Sequence, residues 1–214
     1  MKRFGRFLGR TVLVLAALGV GLWLVGPYEP APLTPTGAAV GDDLDAHFEM
    51  VEARFDDIVP GAEKRVIWAG APGTSTEWSI LYVHGFSATS EEIRPVPDSI
   101  AEGLGANLIF TRLQGHGRGA DAMAEGTVQG WVNDLAEGMA AARAISDKVI
   151  VMSTSTGGTL VTAMAQNTDV MEGTAGLIFV SPKYGLNNPM AALLSWPAAR
   201  YWLPPLAGAS RSFE

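Results

Sequence analysis

Apolar and polar positions along this chain fall into two alternating kinds of block between Arg65 and Pro182. One kind is a short, nearly continuous apolar run: "RVIWAG" (Arg65 to Gly70), "WSILYVHG" (Trp78 to Gly85), "ANLIFTRL" (Ala106 to Leu113), "KVIVMS" (Lys148 to Ser153) and "AGLIFVSP" (Ala175 to Pro182). The other has helical spacing: "SEEIRPVPDSIAEGL" (Ser90 to Leu104), "TVQGWVNDLAEGMAAARAIS" (Thr127 to Ser146) and "GGTLVTAMAQN" (Gly157 to Asn167). Strands that are apolar throughout, and do not alternate, are buried on both faces. The pattern therefore predicts an α/β fold: a mostly parallel sheet flanked by helices. In such sheets ligands bind at loops beyond the carboxyl ends of the strands.

The amino terminus has a different pattern. A basic leader, "MKRFGRFLGR", precedes 18 residues without a charge, Thr11 to Tyr28. A spanning helix needs about 20 apolar residues, whereas the apolar part of a cleaved signal runs to about 7–15 and ends in a small-x-small site. This run is longer and ends Leu24-Val25-Gly26-Pro27, so an uncleaved signal anchor is expected. The positive-inside rule then keeps the leader cytoplasmic and places the rest outside, in a periplasm or the extracellular space. Four prolines between Pro27 and Gly41 suggest an extended tether, and "DDLDAHFEMVEARFDD" from Asp42 a juxtamembrane helix. The expected organisation is anchor 1–28, tether and helix 29–60, α/β core 61–182, and a further segment, 183–214.

Composition narrows the functional classes. With 48% hydrophobic residues over 214 positions, the chain can bury one substantial core. Lys2, Arg3, Arg6 and Arg10 hold four of the 15 positive charges, so from Glu29 onward eleven basic residues face all 22 acids. Phosphate backbones would repel such a surface, and nucleic acid is not an expected partner. There are no cysteines and only three histidines, His47, His84 and His116. Their spacing makes no metal site, and no cofactor motif is present.

The chemistry is concentrated in "VIVMSTSTGGTL", Val149 to Leu160. A strand stops at small hydroxyl residues and glycines and a helix follows, the small-x-Ser-x-Gly context of a nucleophile elbow. Ser155 would be held clear of the backbone, with Ser153 and Gly157 as the small residues that let the turn close. Upstream, "HGF" (His84, Gly85, Phe86) follows another strand. The Phe86 and Thr156 N–H groups would converge on a tetrahedral oxyanion, and one such donor is worth roughly 3–4 kcal/mol. "RLQGHGRG" (Arg112 to Gly119), with His116, follows the next strand and would shape the pocket wall.

These three elements, "HGF", "GHG" and "STSTGG", resemble those of the α/β-hydrolase fold, in particular its monoacylglycerol-lipase-like and carboxylesterase-like members. The resemblance runs from about Arg65 to Pro182. It implies ester hydrolysis by a Ser-His-Asp triad with Ser155 as nucleophile and Phe86 and Thr156 as oxyanion donors. It also implies a structural role for His84, and a cap over the site beginning in the Pro-, Trp- and Leu-rich stretch after Tyr184. Dehalogenases of this fold place Asp at the elbow, so Ser155 argues against that branch. The family's triad runs Ser, Asp or Glu, then His along the chain. After Ser155 this sequence has Asp169, Glu172 and Glu214 but no histidine. The expectation is an incomplete hydrolase lacking its acid and base, acting on a hydrophobic acyl ester once completed. The alternative is a non-catalytic module that binds an apolar ligand or a partner protein, with the strand Ala175 to Val180 as an open edge.

Overall fold

The structure is a computed structural model and describes residues 2–37, 39–185 and 187–207. The chain divides into two units, residues 31–184 and residues 1–30 with 185–214.

The larger unit opens with helix α2 (Leu44–Glu52), which Asp43 caps by accepting the Ala46 N–H at 3.0 Å. The elements after it are β1 (Arg65–Ile67), β2 (Thr76–Val83), α3 (Val96–Leu104), β3 (Asn107–Phe110), α4 (Val128–Ala144), β4 (Ser146–Thr154), α5 (Ser155–Met164), α6 (Thr168–Met171) and β5 (Thr174–Val180). The five strands form one sheet of order β1-β3-β2-β4-β5, parallel throughout except for the antiparallel edge pair β1–β3.

Side chains of the central strands alternate between two apolar cores. Leu81, Val83, Ile109, Val149 and Val151 pack with α4 and α5. Ile80, Tyr82, Leu108, Phe110 and Met152 pack on the α3 side. Every one of these is buried, which explains why the strands read as apolar runs rather than alternating ones. Pairing puts Tyr82 opposite Phe110 and Val83 opposite Ser153. The carboxyl ends of β2, β3 and β4 therefore open onto one rim.

Several elements differ from the sequence expectation. The helix predicted from Ser90 to Leu104 is two pieces, a 3-10 turn (Ser90–Ile93) and α3. Arg94 between them is extended (φ −61, ψ 144), as clash with the following proline ring demands. β1 stops at Ile67, three residues early, and Trp68 turns its indole N–H to Asp45 at 3.0 Å. β3 likewise stops at Phe110, because Arg112 leaves the sheet to pair with Glu52. In the tether, the Thr36 N–H donates to Asn133 Oδ1 at 2.9 Å and Leu33 O accepts from Asn167 at 3.1 Å, so this stretch is fastened to the core.

The smaller unit contains α1 (Lys2–Val25), a 3-10 segment (Pro189–Ser195) and α7 (Ala199–Ala207). Residues Phe4 to Val25 are long and apolar enough to cross a membrane, and none of that span is buried. Glu214 lies outside the described residues.

Candidate active site

The site is built from a corner that hydrogen bonding alone would not favour. Ser155 begins α5 directly after β4 with φ 67, in the left-handed region. For an L-residue that conformation costs about 1–2 kcal/mol, and it persists only where the surroundings over-determine it. The surroundings here do. Ser155 O accepts from the Lys183 N–H at 3.1 Å and from Thr159 Oγ1 at 3.3 Å. Gly157 carries no side chain because a Cβ there would lie 2.4 Å from Val83 O and 2.6 Å from His84 O. The start of α5 is thus pressed onto the end of β2. Ser153 is buried, and its hydroxyl faces Ile178 O at 3.5 Å.

That close approach brings the His84-Gly85-Phe86 loop to the corner. A Cβ on Gly85 would sit 3.3 Å from Ser155 Cβ, so the glycine leaves the serine accessible. The Phe86 N–H has no hydrogen-bond partner among the described residues. Thr156 lies in the first turn of α5, where N–H groups lack an intrahelical acceptor and favour negative charge. Ser155 itself is half-buried.

The histidines do different work. His84 is fully buried. Its Nε2 accepts the Leu113 N–H at 3.0 Å, which fixes the proton on Nδ1, 2.8 Å from Gly85 O. Burial pushes its pKa down to about 3, against the pull of Gly85 O, so the ring is a neutral brace between two rim loops. His116 is also buried, with Nδ1 3.2 Å from Gln114 O and no partner for Nε2 among the described residues. Burial lowers its pKa too. Its ring meets those of Phe86 and Trp131 edge-on, each at 5.7 Å. Beneath this loop, Arg112 binds Glu52 through two hydrogen bonds of 2.7 and 3.1 Å and donates to His116 O at 3.0 Å. His47 lies away on α2, 2.9 Å from Glu137. None of the three makes a hydrogen bond to Ser155.

One participant has no motif in the sequence. Glu92 Oε1 accepts the Gly85 N–H at 2.6 Å and the Tyr82 hydroxyl at 2.8 Å, and Tyr82 reaches Thr154 Oγ1 at 2.8 Å. Burial raises the Tyr82 pKa and keeps the phenol protonated. This chain of contacts ties the glycine loop to the last residue before the corner. Its only sequence trace is an acid seven positions after Gly85, too loose a signal to single out.

A mostly parallel sheet flanked by helices, with a sharp strand-to-helix corner at Ser155 next to a His-Gly loop, is the arrangement of the α/β-hydrolase fold. Comparison with known proteins agrees. Residues 74–210 match the Hydrolase_4 family, described as serine aminopeptidase, S33; that is more than half of the chain, which therefore belongs to this family. A thermostable monoacylglycerol lipase from Bacillus sp. (strain H-257) is 32% identical over 88 residues, 41% of this chain and 35% of the lipase. A solved structure from work on LipS and LipT, two metagenome-derived lipolytic enzymes, superposes with a TM-score of 0.56 at 25% identity. It covers 66% of this chain and 54% of its own. The chain thus spans about a third of the curated relative and about half of the solved one.

Proposed function

We propose that this chain carries the nucleophile and oxyanion hole of a membrane-anchored serine hydrolase that cleaves carboxylic esters. Ser155 Oγ attacks the acyl carbon, and the Phe86 and Thr156 N–H groups receive the developing oxyanion. Gly85 keeps the approach open, Gly157 lets the corner close, and His84 and Glu92 brace the loop. The observation that carries this reading is the strained φ of Ser155 at a corner where a Cβ on Gly85 would stand 3.3 Å from the serine Cβ. The anchor is α1, with the catalytic unit on the extracytoplasmic side as the basic leader directs. An anchor of this kind suits hydrophobic acyl substrates delivered at a lipid surface.

A serine without a base is a weak nucleophile. His84 has both nitrogens engaged, and among the described residues none that hydrogen-bonds Ser155 is an imidazole. Added imidazole should therefore act as the base and speed attack by the serine. The test is a fluorophosphonate probe with and without imidazole, followed by peptide mapping. The adduct should fall on Ser155, form faster with imidazole and vanish in Ser155→Ala. Equal labelling of the alanine variant would end the assignment.

A second reading is supported by the edge strand. β5 pairs only with β4 among the described residues, and Leu177, Ile178 and Phe179 are more than a third exposed. A non-catalytic module binding an apolar ligand or partner would use that surface and leave Ser155 unlabelled under every condition.

A further inference from the structure

We propose that the segment from Pro189 to Ala207 lies in the head-group layer of the bilayer that holds α1, so that lipid is the partner of its exposed apolar side chains. The inference rests on the anchored reading above and adds a second membrane contact to it.

Depth is the first argument. The span Phe4 to Val25 has 22 residues, about 33 Å of helix against roughly 30 Å of hydrocarbon. Trp23, two residues from its end, is therefore fixed near the outer boundary. Residues 196–202 are fastened to that end of α1 and must share its depth. The Trp23 and Trp196 rings meet edge-on at 5.6 Å, and Trp196 and Trp202 lie 6.1 Å apart. The Ala198 N–H donates to Pro27 O at 2.8 Å, and Arg200 pairs with Glu29 at 3.1 Å. At Gly26 a Cβ would stand 2.7 Å from Pro197 Cβ, so the proline ring packs against the glycine. Tyr28 returns its hydroxyl to Trp23 O.

Chemistry is the second argument. Between Gly185 and Ala207 the only charge is Arg200, which is placed at the polar side by Glu29. Tyr201 is 75% exposed, Met190 65%, Leu194 61% and Trp196 44%. Trp and Tyr concentrate where one end of the ring is dry and the other wet, and they form belts at both membrane surfaces. In water the same side chains would form a sticky patch. Continuity with the end of a spanning helix selects lipid over a protein partner.

The absence of cysteine makes the test direct. Leu15→Cys, Leu194→Cys, Tyr201→Cys and Glu102→Cys are each labelled with a nitroxide on the full chain in phosphatidylcholine vesicles. Accessibility to oxygen and to a water-soluble nickel chelate then gives depth. The expected result is Leu15 in the hydrocarbon centre, Glu102 in water, and both Leu194 and Tyr201 within about 5–10 Å of the head-group boundary. If Leu15 is deep while Leu194 and Tyr201 are as open to nickel as Glu102, the anchor stands and this inference is overturned. Protection of Leu194 and Tyr201 from both reagents overturns it in favour of a protein contact. A Leu15 label found in water removes the anchor, and the inference with it.

Discussion

Replacing Ser155 by glycine should stabilise the fold, whereas replacing it by alanine should leave stability nearly unchanged. The reason is the φ of 67 at this residue. Serine and alanine both carry the Cβ that makes the left-handed region unfavourable, by about 1–2 kcal/mol. Glycine removes that term but gains freedom in the unfolded chain, which returns about 0.4–1 kcal/mol. The net difference between the glycine and alanine variants is about 1 kcal/mol in favour of glycine. For a unit of residues 31–184, about 2–4 °C of Tm per kcal/mol is expected. The serine hydroxyl makes no hydrogen bond among the described residues, so Ser155→Ala should melt within about 1 °C of the parent. Calorimetry on the full chain in detergent, with the three proteins scanned at one rate, reads the effect without relying on catalysis. A glycine variant that melts below the alanine variant would refute the strain on which the nucleophile assignment rests.

Gly157→Ala should cost about 1–3 kcal/mol, because the new methyl would meet the Val83 and His84 carbonyls at 2.4 and 2.6 Å and backbone cannot step aside; Gly103→Ala, with nothing within 4 Å, is the urea-denaturation control and should stabilise by up to about 1 kcal/mol. Glu52→Gln leaves Arg112, 3% exposed, as an unmatched buried charge, and should lose about 3–5 kcal/mol in the same assay; a loss under about 1 kcal/mol would mean the pair is solvated. The pH dependence has a definite sign. His84 in the fold has a pKa of about 3 against 6.5 when unfolded, so below pH 6.5 the unfolded chain binds a proton that the folded chain refuses. Stability should therefore fall by about 2 kcal/mol between pH 6.5 and 5. Asp134, raised by burial, acts in the opposite direction, so the difference in slope between the parent and His84→Gln isolates the imidazole. Equal slopes would count against a buried neutral ring.

The sheet and its helices were legible because burial on both faces leaves an unbroken apolar run, and β2 and β4 are of that kind. The corner at Ser155 was legible for a different reason: a sharp strand-to-helix turn tolerates only small residues at Ser153 and Gly157. The break at Arg94 could have been read from the proline rule, but helical spacing on both sides of Pro95 concealed it. Glu92 and Tyr82 were not legible. A carboxylate that holds a loop N–H needs no fixed sequence spacing, only a place within reach, and that place exists only after the 3-10 turn has formed. The fastening of Leu33 and Thr36 to the core was hidden in the same way, because a proline-rich stretch looks identical whether it is free or hydrogen-bonded through its backbone.

The corner and the exposed edge are mechanically linked. β4 leads directly into Ser155, and its outer neighbour is β5, held by a ladder from Val149–Thr174 to Thr154–Val180. Phe179 and Pro182 also contact the space beside Gly158, where a Cβ would meet them at 3.4 and 3.0 Å. Part of the packing beside the strained serine thus comes from a strand whose Leu177, Ile178 and Phe179 are more than a third exposed. Local stability follows the density of buried apolar contacts. Burying Leu177 and Phe179 would therefore stiffen β5, and through it the corner, whereas the β2 side is already fully packed. The energy that holds Ser155 in its left-handed conformation is unevenly supplied, firm from the glycine loop and weaker from the edge.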